Sequence, residues 1–382
     1  MPGPEPVLLA APEAKQALSG GCPSTSELFT GILAVFKARG FHESAALSAT
    51  YFAFSTWFSA LLPAAPCLLI SGPGPEARLL VDLLECVVRN PLSLFELTRG
   101  GFLSVDMDLE PTLLIVQEQI ADSLWKLVRA SNHRNAQVPT ANGMRKIYCA
   151  KVLYVGDKSP DVGNDGSLLQ INLSPLRGRV PFLEPNDKSD LIAEFQPRMQ
   201  AYRQQNYVQV CDSRFDLPEL GSASRILARV LGAPIVAAPE VQASLGPLLR
   251  DYQDAIRAEL WLNPRCVVIE AVLSRCHDGK SERIHVGEIT RITNAILKGR
   301  GETKQLGPKE VGGFLRQLGL SPSRDRKGFA IRLDESIRRA IHQLAGRFAV
   351  ATVQEGAMVC AHCVEFFTLS SNTEGHRAST EK

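Results

Sequence analysis

The 382-residue sequence predicts an α/β fold: a parallel sheet covered by helices, then a helical connector, then a small C-terminal domain with helices and a hairpin. Three observations carry this. Between residues 67 and 173, short apolar runs alternate with helical periodicities, as in strands buried on both faces and joined by crossover helices. The apolar run ending at Ser71 passes through Gly72-Pro73-Gly74-Pro75 directly into a helical pattern, which reads as strand, loop and helix. Beyond residue 262, helical stripes give way to a short alternating segment rich in arginine and lysine.

Taken in order, residues 27–39 and 43–62 read as two amphipathic helices. Tyr51, Phe52, Phe54, Trp57 and Phe58 of the second belong to a core. A strand follows at 67–71, a helix near 76–89, a strand at 112–117 and a helix at 119–130. Two more strands are expected at 150–156 and 168–173. Residues 175–190, rich in proline, glycine and charge, mark a boundary. Residues 191–210 and 222–261 are mainly helical and carry nothing that suggests chemistry. The expected organisation is a flexible tail at 1–26, an α/β domain at 27–187 and a connector or lid at 188–261. A C-terminal domain at 262–350 and an extension with a flexible tail at 351–382 complete it.

Composition narrows the function classes. With 45% apolar and 21% charged residues the chain has an ordinary globular make-up. No run of 18 apolar residues suggests a membrane span, and no positive charge precedes the short apolar patch at 7–11, so a cytoplasmic protein is expected. Nine cysteines, among them Cys67, Cys86 and Cys266 in apolar contexts, suit reduced thiols. Cys360-Ala361-His362-Cys363 is the one cluster with metal-like spacing. It offers three ligands and no second pair, so no metal is expected. Net charge is +2, yet residues 280–347 hold 15 Lys or Arg against 7 Asp or Glu, an excess suited to a polyanion.

The loop at 70–79 has the outline of a phosphate-binding loop, G-x-x-x-x-G-K-[ST], in which backbone N–H groups at a helix N-terminus cradle phosphates. Counting from Gly72, with Gly74 inside the loop, Ala77 stands for the second glycine, Arg78 for the lysine and Leu79 for the hydroxyl residue. A guanidinium is a wide planar fork where a compact ammonium belongs, and leucine offers magnesium no oxygen. Pro73 and Pro75 remove two backbone donors. In the strand at 112–117, Gln117 stands where a metal-organising aspartate is needed, and Glu118 remains as a base. Together these substitutions predict a degenerate nucleotide site with little or no hydrolysis. No cofactor is certain, and ATP or ADP held with weak magnesium dependence is left open. Asp157-Lys158, after the strand at 150–156, reads as a solvated turn, and Arg134 and Arg145 as surface charges.

Residues 262–350 spell a winged helix. An apolar helix at 265–276 precedes a strand at 283–286 and a helix at 287–297 with Ile289, Ile292 and Ile296 on one face. Pro308 opens the next helix, Val311, Phe314, Leu315 and Leu318 form its buried stripe, and Gly319 ends it. In the hairpin that follows, Phe329, Ile331 and Leu333 alternate toward the core, and Arg324, Arg326 and Lys327 cluster beside Gly328. Lys309, Gly312, Gly313, Arg316 and Gln317 are the polar and small face of the helix. Lys309, Arg316, Gln317, Arg324, Arg326, Lys327 and Arg332 are the candidate contacts to DNA, most naturally double-stranded.

The stretch L-G-P-K-E-V-G-G-F-L-R-Q-L-G-L followed by R-D-R-K-G-F-A-I, behind a strand-loop-helix domain and a helical connector, resembles the helicase half of phage and plasmid primase-helicases and their AAA+ relatives. The resemblance covers roughly residues 45–350 and implies a P-loop ATPase fold. It places the family's Mg-ATP and hydrolysis roles on Arg78, Leu79, Gln117 and Glu118, of which only Glu118 is the expected residue type. The resulting expectation is a DNA-binding protein on a degenerate P-loop scaffold, associated with replication or a mobile element. Two alternatives stay open: an active or DNA-stimulated ATPase resembling a helicase motor, and a protein-interaction adaptor. The expected partners are nucleic acid and either further copies of the chain or another protein, with no membrane.

Overall fold

The computed structural model describes residues 24–117, 120–140, 143–156, 168–176, 178, 180–220, 222–277, 282–348 and 350. The chain divides into two units, 1–251 and 252–382. In the first, helix α1 (Thr25–Ala38) is closed at its start by a reciprocal pair. The Ser24 hydroxyl accepts from Glu27 N–H, and the Glu27 carboxylate accepts from Ser24 N–H. Helix α2 (Glu43–Thr56) is buried on almost every side, with Tyr51, Phe52 and Phe54 fully enclosed. It stops short of the expected residue 62. Pro63 forces Leu62 into an extended conformation, and the indole of Trp57 turns to donate to Val87 O.

Strand β1 (Cys67–Ser71) leads through Gly72 into α3 (Gly74–Val87). Then come β2 (Pro91–Leu94), α4 (Arg99–Ser104), β3 (Thr112–Val116), α5 (Asp122–Ala130), a hairpin of β4 (Gln137–Thr140) and β5 (Gly143–Lys146), β6 (Ala150–Tyr154) and β7 (Leu168–Asn172). Five strands form one sheet in the order β2-β3-β6-β1-β7, and every pairing in it is parallel. β1 and β6 are buried along their whole length, and their sequences are apolar runs broken in β6 only by Lys151, whose buried ammonium donates to Asn132 Oδ1 at 2.6 Å. The sequence gives little sign of β2 or of the β4–β5 pair because they are short and largely exposed. β2 is an edge strand that opens on a proline.

Helices α6 (Pro185–Asp212), α7 (Ser222–Gly232) and α8 (Pro239–Ala243) complete the unit, and α9 (Leu245–Trp261) carries the division between units. α6 begins inside the segment read as a boundary and lies against the α/β layer. Tyr202 meets Phe54 and Phe58 edge-on, with ring centroids 5.3 and 5.8 Å away. Lys188 pairs with Glu85 of α3 at 2.7 Å, and Gln196 donates to the carbonyls of Cys86 and Val88. The segment expected as a connector therefore packs as part of the first unit up to residue 251.

The second unit contains α10 (Pro264–His277), β8 (Arg283–His285), α11 (Val286–Gly299), α12 (Pro308–Gln317), β9 (Ser323–Asp325), β10 (Gly328–Arg332) and α13 (Glu335–Arg347). Its three strands form an antiparallel sheet in the order β8-β10-β9. Val267, Val268, Val272, Ile284, Ile289, Val311, Leu315 and Ile341 make its core. The end of α12 is set by Gly319 at φ +79. Leu320 N–H reaches back to Leu315 O and Gly319 N–H to Arg316 O, and Leu320 is buried beside Leu315. The β9–β10 hairpin turns on Arg326 and Lys327, and the Asp325 carboxylate accepts from Lys327 N–H.

Two expectations about this unit need correction. Phe329 is not a core residue: it is 52% exposed, whereas Ile331 on the same strand face is buried. Phe329 stands one residue into the strand from the hairpin turn and takes no part in the unit's buried cluster. Gly312, expected on the outer face of its helix, is buried, with Val286 Cγ1 3.9 Å from where its Cβ would stand.

Candidate nucleic-acid interface and the loop after the first strand

The exposed face of the second unit is built from α12 and the β9–β10 hairpin. Pro308 at the first position of α12 and Glu310, whose carboxylate accepts from Gly307 N–H at 2.8 Å, fix where the helix starts. That start presents Lys309 to solvent, and Arg316 and Gln317 follow along the helix, all exposed. The hairpin presents Arg324, Arg326 and Lys327, also exposed. Between helix and hairpin lies a groove of about 440 Å³, and Lys309, Arg316 and Lys327 line it together with Phe329.

The acids of this face are already engaged. Glu310 holds Gly307, and Asp325 lies 3.6 Å from Arg283 and 4.0 Å from His285. The Lys327 N–H, and then the His285 and Arg283 charges, hold the Asp325 carboxyl below its ordinary range. By contrast, none of Lys309, Arg316, Arg324, Arg326 and Lys327 forms a salt bridge among the described residues. Arg332 stands apart from this set: it pairs in register with Arg283 across the sheet and acts on Asp334. Five of the seven candidate cationic or polar residues thus gather as uncompensated charge, Gln317 is exposed on the same helix, and Arg332 lies at the other end of its strand.

The C-terminal ends of β1, β6 and β3 adjoin in the first unit, the place where open α/β sheets bind ligands. Here that place is occupied by the chain itself. Leu173 N–H donates to Ser71 O at 2.8 Å, and the Ser71 hydroxyl donates to Asn172 Oδ1 at 2.6 Å. Gly72 adopts φ +115, and a Cβ there would overlap the Leu173 carbonyl oxygen. The Tyr154 hydroxyl donates to Gly72 O at 3.2 Å and sits 3.4 Å from where a Gly74 Cβ would stand. Glu76, 5% exposed in the first turn of α3, accepts Leu176 N–H at 3.0 Å, so a carboxylate of the protein occupies the helix N-terminus.

The other residues of the loop pattern face elsewhere. Ala77 and Leu79 are buried in the core. Arg78 pairs with Asp82 at 3.2 Å and lies 4.9 Å over the ring of Phe95. Gln117 Oε1 accepts from Leu97 N–H at 2.9 Å. Glu118, Asp157 and Lys158 lie outside the described residues, as do Cys360, His362 and Cys363. Arg134 is exposed, and Arg145 donates to the carbonyls of Ser104 and Val105. Tyr154 and Glu76 were missed from sequence. A glutamate three residues into a helix start was the available signal for the second; a tyrosine closing an apolar strand gave none for the first.

No group of three or more His, Cys, Asp and Glu among the described residues is placed to hold a metal. No helix among them is long and apolar enough to cross a membrane.

No family model matches the chain, and no curated protein matches it significantly. Among solved structures, similarity is found to a chain of Drosophila ORC bound to DNA, at 11% identity over 90% of this chain and 95% of that one, with a TM-score of 0.19. Cdc6p from Pyrobaculum aerophilum aligns at 13% identity over 79% of this chain and 93% of that one, also with a TM-score of 0.19. Superpositions at that level carry no argument about fold or function, which rest on the sheet, the loop and the cationic face themselves.

Proposed function

We propose that this protein binds DNA through the second unit, as a winged helix with α12 entering the major groove and the β9–β10 hairpin serving as a basic wing along the phosphates. The observation that carries the reading is the set of five exposed cations without a salt bridge among the described residues, on a face whose own acids are tied to other groups. Lysines and arginines held in that state release counterions from a polyanion at no cost in broken ion pairs. Gln317 adds an amide able to meet a base edge, and Arg332 adds charge further along the sheet.

The same reading makes the first unit a scaffold descended from a P-loop ATPase, with little or no hydrolysis. A buried Glu76 at the helix start, Arg78 committed to Asp82 and Leu79 in the core all support it. The unit would then offer a surface for assembly or for a partner protein, and the resemblance to primase-helicases suggests a setting in replication or a mobile element. Filter binding of duplex DNA across a salt series tests the DNA reading: absence of binding at low salt sinks it. Equilibrium binding of ATP and ADP with and without magnesium, alongside phosphate release, tests the scaffold reading. Magnesium-dependent turnover that DNA stimulates overturns it.

A further inference from the structure

We propose that the groove between α12 and the β9–β10 hairpin takes one unpaired nucleotide, with its base on the Phe329 ring and its phosphate against Lys309, Arg316 and Lys327. The inference rests on the DNA-binding reading and adds which DNA is held best: a duplex that carries a single-stranded extension. A face that only follows phosphates needs no concavity. This one contains about 440 Å³, within the range of roughly 300–1,000 Å³ typical of small-molecule sites.

The lining fits the two halves of a nucleotide. Pro308, Pro322 and the half-exposed ring of Phe329 supply apolar surface. Gly287 and Gly328 place no side chain in the space, and nothing lies within 4 Å of where their Cβ atoms would be, so a flat base can approach the backbone. The rim is cationic: three of the lining residues are Lys or Arg, and none is Asp or Glu. An aromatic ring beside partnerless cations is the pairing that holds single strands, since every base has a face to stack and every nucleotide a phosphate. An amphipathic peptide helix fits poorly, because it needs several apolar pockets at helical spacing and the groove offers one exposed aromatic ring.

The test uses the full chain and fluorescence anisotropy with a blunt duplex and the same duplex bearing a short overhang that contains 2-aminopurine. The overhang is expected to raise affinity by about 5- to 150-fold, the range given by stacking one base on an aromatic side chain. Phe329→Ala should abolish that preference and the quenching of 2-aminopurine while leaving blunt-duplex affinity in place. Phe329→Trp should restore both. Phe329 is exposed, so its loss leaves the core intact. Equal affinity for both DNAs, or a preference that survives Phe329→Ala, overturns the groove proposal and leaves the DNA-binding reading standing. Absence of binding to either DNA sinks both. A Phe329→Trp emission change produced by a peptide of residues 351–382, and not by overhang DNA, reassigns the groove to a segment of this chain.

Discussion

Replacing Arg324, Arg326 and Lys327 together with alanine should flatten the salt dependence of DNA binding without harming the fold. All three side chains are exposed and make no salt bridge among the described residues, and the hairpin's own bond, Lys327 N–H to Asp325, is a backbone donor that survives the change. With Lys309 and Arg316 they form a set of five cations. Each phosphate contact contributes about 0.9 to the slope of log affinity against log salt, so the wild type should show about −4.5 and the triple variant about −1.8. Between about 50 and 200 mM salt the wild type then loses affinity about 500-fold and the variant only about 12-fold. Anisotropy titrations of one duplex at a series of salt concentrations read both slopes directly, and circular dichroism checks that the variant is folded. Identical slopes would refute the reasoning, because they would place the phosphate contacts on some other face.

Three further outcomes follow from the same geometry. Gly72→Ala should cost about 1–3 kcal/mol through backbone strain at φ +115, with more from its overlap with the Leu173 carbonyl. A urea midpoint unchanged in the absence of nucleotide would show that packing does not require the glycine. Under alkylation of the native protein, Cys211 should react first among the six cysteines in the described residues. The others are buried, and burial pushes the Cys86 and Cys266 thiols up to about 11. Peptide mapping after a short iodoacetamide pulse reads the order. The bonds from Arg225, then Arg229, hold the Asp216 carboxyl well below the usual carboxylate range. A depressed folded value contributes stability above the unfolded value of about 3.9 and loses it as pH falls. Acid unfolding should therefore flatten in Asp216→Asn, and an unchanged acid limb would count against the cluster.

The parallel sheet was legible because its strands are buried on both faces, so β1 and β3 read as nearly continuous apolar runs and β6 as one broken only by the buried Lys151. β2, with three of its four residues exposed, carries no such signal. The helices of the second unit were legible for a related reason: Pro308 and Gly319 mark the two ends of α12, and Val311 and Leu315 mark its buried side. Phe329 misled, since strand alternation says which face a residue stands on but not whether anything covers that face. The charge excess was countable from sequence, yet counting does not say which cations are spent. Arg300 pairs with Glu270, Arg283 approaches Asp325 and Arg338 donates to Cys276 O, so each serves the fold of its own unit. Pairings of this kind join residues about 30 to 60 positions apart, beyond any local pattern. What they leave over includes the set on α12 and the hairpin, beside Arg291, Lys298 and Lys304 elsewhere in the unit.

The loop at Gly72 shows how a motif's outline can outlast, or arise without, its chemistry. A glycine after a buried strand reads as room for a phosphate. Here it is room for the Leu173 carbonyl, just past the end of the neighbouring β7, whose Leu173 N–H continues the parallel pairing to Ser71 O. The helix N-terminus that would attract an anion instead has the Glu76 carboxylate, which in turn fixes Leu176. A phosphate brought to this helix start would meet the buried Glu76 carboxylate, which carries the same sign of charge. Glycine and helix start are thus shared by both arrangements and cannot separate them. The lysine and the hydroxyl can, because only phosphate and magnesium require them, and Arg78 and Leu79 stand in their places with their side chains turned to Phe95 and to the core. Glu76→Ala therefore discriminates between ancestry and disuse. If the site is closed only by this carboxylate, its removal should raise nucleotide affinity above that of the wild type; if Leu173 and Tyr154 close it as well, affinity should be unchanged.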